Sequence, residues 1–291
     1  MRVPFYDIKA QYDELAPQLD QVVHEVISGG SYVMGPHHNA FEKEVAELHG
    51  CKHGIGLNSG TDALRIMLDA AQIGRGDEVI TTAFTFVASI EMIVQTGAKP
   101  VFVDIDPATY MLDVSKIKAA VTPNTKAIMP VHLFGQLCDV DALGKVSGEL
   151  GIPVIEDAAQ AINSHHNGSY AGNYGLAAGI SYYVTKNLGA AGDAGMIITN
   201  DDTIAERCRS IRIHGMGRER YYYDYVGYTS RLDEVQAAVL RQKLTRLNAW
   251  DEQRAKWAAI YEAELSGIKD LHLPETLPGN NHTFHQYTVR S

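Results

Sequence analysis

Gly179-Ile-Ser-Tyr-Tyr-Val-Thr-Lys-Asn-Leu-Gly-Ala-Ala-Gly-Asp-Ala-Gly-Met-Ile-Ile-Thr199 is the stretch on which the reading of the chain turns. A short apolar run, a turn carrying one lysine, a glycine-rich bend and a second apolar run predict strand, turn and strand. Lys186 is the only cation in the stretch, and its neighbours are small or apolar. A lysine in such company loses hydration, which lowers its pKa and frees the amine as a nucleophile for carbonyl chemistry. The pattern also suits an ordinary loop lysine, so the flanking sequence decides between the two.

Outward from this stretch the same unit recurs. Apolar runs at 54–57, 78–81, 101–104, 127–132, 153–156, 179–184 and 196–199 are each bounded by turn residues. Amphipathic stretches at 61–71, 86–96, 114–120 and 140–150 lie between most of them. Strands alternating with helices predict a parallel sheet covered on both faces, with ligands beyond the carboxyl ends of the strands. Helices are expected at 12–28 and 39–49. After Arg231, apolar residues at three- and four-residue steps predict one long helix to Gly267. His285-Gln-Tyr-Thr-Val-Arg290 then begins a strand, and the sequence stops at Ser291.

The expected fold is α/β. Residues 1–30 form an N-terminal segment and helix, and 31–230 a three-layer large domain with a mainly parallel seven-stranded sheet. Residues 231–291 form a linking helix and the start of a smaller α+β domain that reads as truncated.

The 291 residues carry 25 basic and 35 acidic side chains, a net charge of −10, and no basic block. A partner made of nucleic acid is therefore not expected. The mixed N-terminus, Met1 to Ala10, is not a secretory signal, and no apolar run reaches membrane-spanning length. Cys51, Cys138 and Cys208 stand far apart, in neither disulfide nor metal-ligand spacing, so reduced thiols in a cytoplasm are expected and no metal.

Four motifs fall at predicted strand ends. Asn58-Ser-Gly-Thr-Asp-Ala-Leu64 opens a helix after a strand, which suits either a phosphate on free amides or simple capping by Ser59 or Thr61. Phe84 offers a ring to stack on a planar group, or a core contact. Asp157 and Gln160 in Glu156-Asp-Ala-Ala-Gln160 suit a heterocyclic nitrogen and a ring substituent, or a helix cap. With Lys186 these make the set that pyridoxal phosphate requires: phosphate anchor, stacking ring, acid for the pyridine nitrogen and Schiff-base lysine.

Six motifs carry a family resemblance. They are Asn58-Ser-Gly-Thr-Asp-Ala-Leu64, Gly76-Asp-Glu-Val-Ile80 with Phe84-Thr-Phe86, Pro130-Val-His-Leu-Phe-Gly135, Glu156-Asp-Ala-Ala-Gln160, Thr185-Lys-Asn-Leu-Gly189 with Gly192-Asp-Ala-Gly195, and Ser230-Arg-Leu-Asp-Glu234. In that order, over nearly the whole chain, they resemble the DegT/DnrJ/EryC1/StrS nucleotide-sugar aminotransferases, of the fold-type-I pyridoxal-phosphate superfamily. The resemblance implies that Lys186 holds the cofactor, Asp157 pairs with its pyridine nitrogen and Gln160 lies beside the ring. It further implies that Gly60, Thr61 and Ser181 hold the phosphate and that Phe84 stacks. A homodimer with shared sites follows, the partner subunit's Thr229 standing where the family commonly has asparagine. The implied reaction moves an amino group from L-glutamate to a keto-sugar nucleotide. Two alternatives are a regulatory or sensory homologue without turnover and a related sugar dehydratase. Dehydratase relatives carry histidine where this chain has Lys186.

Overall fold

The computed structural model describes residues 6–291, so the first five residues of the predicted N-terminal segment lie outside the described residues. Asp7 accepts a hydrogen bond from the Ala10 amide and starts α1 (Ile8–Gly29) ahead of the predicted residue 12. Its Leu15, Leu19, Val22 and Val26 are buried against Ala238 and Val239 of a later helix. Pro36 opens α2 (Pro36–His49), where its missing N–H costs nothing.

The alternation then follows: β1 (His53–Leu57), α3 (Gly60–Ala70), β2 (Glu78–Thr81), α4 (Ala88–Gln95) and β3 (Lys99–Phe102). Next come α5 (Ile117–Ala120), β4 (Thr125–Ile128), α6 (Val140–Leu150) and β5 (Ile155–Asp157). A small hairpin, β6 (His165–His166) with β7 (Ser169–Tyr170), precedes β8 (Ala177–Ser181) and β9 (Gly195–Thr199). The chain closes with α7 (Asp202–Ile211), α8 (Glu234–Leu244), α9 (Leu247–Leu265) and β10 (Asn280–Asn281).

The large strands pair in two ladders, β1-β9-β8-β5 and β3-β2-β4. Parallel bridges Ile128–Val154 and Val131–Asp157 join them between β4 and β5. The sheet departs from the expected parallel array at β9, which runs antiparallel to both β1 and β8. Alternate residues of β9 face opposite cores. Ile197 packs with α3 and α7 side chains such as Leu64 and Ile204, while Met196 and Ile198 pack with Phe41 of α2 and Leu240 of α8. Burial on both faces is why these strands read as unbroken apolar runs.

Two expectations at the C-terminal end are corrected. The single long helix is two, α8 and α9, separated at Thr245 and Arg246, where the Thr245 hydroxyl donates to the Gln242 carbonyl. The strand predicted from His285 to Arg290 does not form. This segment crosses the turn at Leu133–Gly135 instead, Thr283 donating to the Gly135 carbonyl and Gln286 to that of Phe134. Among the described residues no helix is long and apolar enough to cross a membrane.

Candidate active site

The carboxyl ends of β2, β5 and β8 and the start of α3 surround a cavity of about 450 Å³. Gly60, Thr61, Asp157, Gln160, Ser181 and Lys186 all line it, from three separate stretches of chain.

Where β1 hands over to α3, the Ser59 hydroxyl accepts the Asp62 amide at 3.0 Å and caps the helix. The cap and the open end of the cavity coexist at this turn, so capping did not exclude anion binding. Two glycines allow the close approach. A Cβ on Gly60 would stand 2.6 Å from the Cβ of Ser181, and one on Gly195 would stand 2.2 Å from the Ser59 carbonyl carbon. The α3 amides and the Ser181 hydroxyl thus face the same space, the arrangement that favours an anion.

Asp157, at the end of β5, is only 3% exposed. Its Oδ2 accepts from the Ser89 hydroxyl at 2.6 Å, and its Oδ1 from the Ala159 amide at 3.1 Å. Burial pushes its carboxyl above the usual range, against the pull of Ser89, the Ala159 amide and Lys186. Beneath it, the buried Glu156 carboxylate accepts from the Gly172 and Gly175 amides at 3.0 and 2.9 Å and from His132 Nε2 at 3.0 Å. The Cys138 amide donates to His132 Nδ1, so the ring proton sits on Nε2, facing Glu156.

Lys186 lies in the turn between β8 and β9, its own amide bonded to the Tyr183 carbonyl at 2.8 Å. The turn is bolted from α8: Lys243 Nζ donates to the Gly189 carbonyl at 2.7 Å, and Gln236 accepts from the Ala191 amide at 2.8 Å. Burial holds the Lys186 amine below the usual lysine range, more strongly than Asp157 raises it. Gln160 Oε1 accepts from the Phe134 amide at 2.8 Å, which leaves its side-chain N–H groups free to face a ligand.

Phe84 requires a correction. It lies outside the cavity, stacked on Tyr110 with ring centroids 5.9 Å apart, and lines a separate hollow beside Lys116 and Arg290. Phe86, two residues on, lines the cavity instead and is 69% exposed. Thr229 is not on the cavity in this chain; it is exposed, and its hydroxyl pairs with His214 Nε2 at 3.0 Å. Sequence reasoning also missed Ser89 and His285 on the cavity wall. Ser89 had a readable signal as a hydroxyl residue in the first turn of a helix after a strand. His285 had none, because only tertiary packing brings it there.

The model of the DegT/DnrJ/EryC1/StrS aminotransferase family matches residues 13–291. This chain belongs to that family. A "Pleiotropic regulatory protein" of Geobacillus stearothermophilus is 50% identical over 293 residues, spanning all of this chain and 78% of the relative. A UDP-N-acetyl-3-dehydro-alpha-D-glucosamine 3-aminotransferase of Acidithiobacillus ferrooxidans is 42% identical over 288 residues, spanning 99% of this chain and 78% of that enzyme. The crystal structure of S. venezuelae DesV with a ketimine intermediate aligns with a TM-score of 0.96 and 41% identity, over 100% of this chain and 78% of that one. Members of the family are pyridoxal-phosphate-dependent aminotransferases.

Proposed function

We propose that this chain moves an amino group from L-glutamate to a keto-sugar nucleotide, with pyridoxal phosphate held around Lys186. The observation that carries this reading is a buried carboxylate, Asp157, sharing one cavity with a desolvated lysine, in a chain of this family. The cavity's donor set suits the cofactor. Asp157 at the cavity wall calls for a cationic partner, and a pyridine N–H⁺ supplies one, offsetting the cost of burying the charge. The Gly60 and Thr61 amides and the Ser181 hydroxyl suit a phosphate, Gln160 a ring oxygen, and Phe86 a ring face.

The bound cofactor supplies an electron sink for the amino acid carbon that loses its proton. Lys186, once free, would be the base that takes the proton from that Cα and holds it for return. Its lowered pKa makes the neutral amine accessible for this step. Asp157 would hold the pyridine nitrogen protonated, and Phe86 would cover one face of the ring.

The working unit is a homodimer in the cytoplasm. The exposed Tyr221, Tyr222, Tyr223 and Val226 beside Thr229 suit burial against a second copy, which would carry the partner subunit's Thr229 to this cavity. All three cysteines are free and buried, as reduced thiols would be.

The relative named as a pleiotropic regulatory protein favours one other reading, a cofactor-binding regulator that turns nothing over. Rapid mixing of the cofactor-loaded protein with L-glutamate separates the two. Transfer converts the cofactor absorbance to that of the pyridoxamine form within a single turnover, whereas an unchanged spectrum with every amino acid donor supports the regulator.

A further inference from the structure

Behind Lys186 lies a buried polar chain that the cofactor contacts leave unexplained. Asn187 donates from Nδ2 to Asp251 Oδ1 of α9 and to the Thr283 carbonyl, both at 3.0 Å. Asp251 is also held by Asn163 Nδ2, at 3.0 Å to its other oxygen. On its opposite side, Asn187 Oδ1 meets His285 Nδ1 at 3.1 Å, and His285 lines the cavity together with Lys186.

The chemistry of these partners fixes the direction of every bond. An ionised carboxylate and a backbone carbonyl only accept, so the Asn187 NH₂ must face them and its oxygen must face His285. That oxygen also only accepts, so the proton of the His285 ring must sit on Nδ1. Nε2 is then bare, and no hydrogen bond to it occurs among the described residues. Burial disfavours a second proton on the ring, and so do the nearby Lys186 and, on α9, Arg254.

We propose that Asp251, acting through Asn187, locks His285 in the Nδ1–H tautomer, so that its bare Nε2 accepts a hydrogen bond from the Lys186 amine and orients it. His285 is then a positioning residue. This rests on the reading of Lys186 as the proton carrier, and it extends that reading to why the residue after the lysine is an asparagine. An amine held through one N–H keeps its lone pair directed along a single line, which favours proton transfer at one carbon.

The test uses cofactor-loaded protein with nitrogen-15-labelled histidine rings, read by long-range proton–nitrogen correlation at neutral pH. The His285 signals are assigned by their loss in His285→Phe. The proposal expects a proton on Nδ1 and a bare Nε2 in the native protein, and a shift towards the Nε2–H form in Asn187→Leu or Asp251→Leu. A native ring protonated on Nε2, or a tautomer unmoved in these variants, overturns it. Should both variants fail to fold, the His285 series carries the test. His285→Phe lowers kcat about tenfold, the loss of one hydrogen bond, and His285→Gln, which restores an acceptor, recovers most of it. A His285→Phe enzyme as fast as the native one, or a glutamine variant no better than phenylalanine, overturns the proposal. The tautomer is read without turnover, so a protein that transfers no amine at all fails the functional reading while the ring's protonation still decides the lock.

Discussion

At Asp157 the two hydrogen bonds inside the protein come from a serine hydroxyl and one amide, too few to satisfy a buried carboxylate without a further positive partner. Asp157→Asn keeps the shape but cannot hold a pyridinium proton, and kcat is expected to fall at least about a hundredfold in steady-state assays. Ser89→Ala removes a hydrogen bond to a charged group, worth about 1.5–3 kcal/mol, so cofactor binding weakens roughly tenfold or more in equilibrium titration. Lys186→Ala leaves the cavity intact but abolishes the cofactor adduct that borohydride fixes to the chain. Most of these positions were legible in the sequence, because each stands in a short motif at the end of an apolar run. The aromatic on the cavity wall was not. Phe84 and Phe86 belong to one motif, and only the turn after β2 sets Phe84 against Tyr110 and Phe86 on the cavity.

The elements that place these residues are held by buried polar clamps rather than by packing alone. Glu156 ties the end of β5 to the Gly172 and Gly175 amides and to His132. Glu156→Leu orphans three donors, and denaturant titration is expected to show a loss of about 3 kcal/mol or more. The seven large strands and the helices between them could be read from apolar runs, since burial on both faces leaves that trace. Strand direction leaves none: the run that becomes β9 looks the same whether it lies parallel or antiparallel. The break at Thr245 was hidden for a related reason, as the apolar steps continue across it while a hydroxyl takes up the Gln242 carbonyl. The segment around His285 reads as a strand by composition, yet its amides are used by the turn at Leu133–Gly135.

Across the whole molecule, buried histidines set the response to acid. Burial holds His49 and His282 down to about 4 and His285 down to about 3, against an ordinary value of 6.5. Each has a folded value below its unfolded one, so its contribution is intact above pH 6.5 and is lost as pH falls towards the folded value. Each removes about 1.4 kcal/mol per pH unit in that window, and the three together about 4. Asp251 works the other way. Burial raises it to about 6, and the cost of its charge disappears as it protonates below that pH. Asp157, also raised by burial, works with Asp251. The three histidines outweigh these two carboxyls, so the melting temperature is expected to fall from pH 7 to pH 5, and calorimetry checks it. His49→Phe, which removes one of the three, should flatten that slope.

The central claim concerns the whole site acting at once, and following the nitrogen tests it most directly. Cofactor-loaded protein is incubated with nitrogen-15-labelled L-glutamate and UDP- or dTDP-linked keto sugars, and the products are weighed by mass spectrometry. Transfer that depends on Lys186 predicts the heavy nitrogen in an amino-sugar nucleotide, and none with Lys186→Ala. Loaded native protein that leaves the label in glutamate with every keto sugar and every donor would contradict the claim.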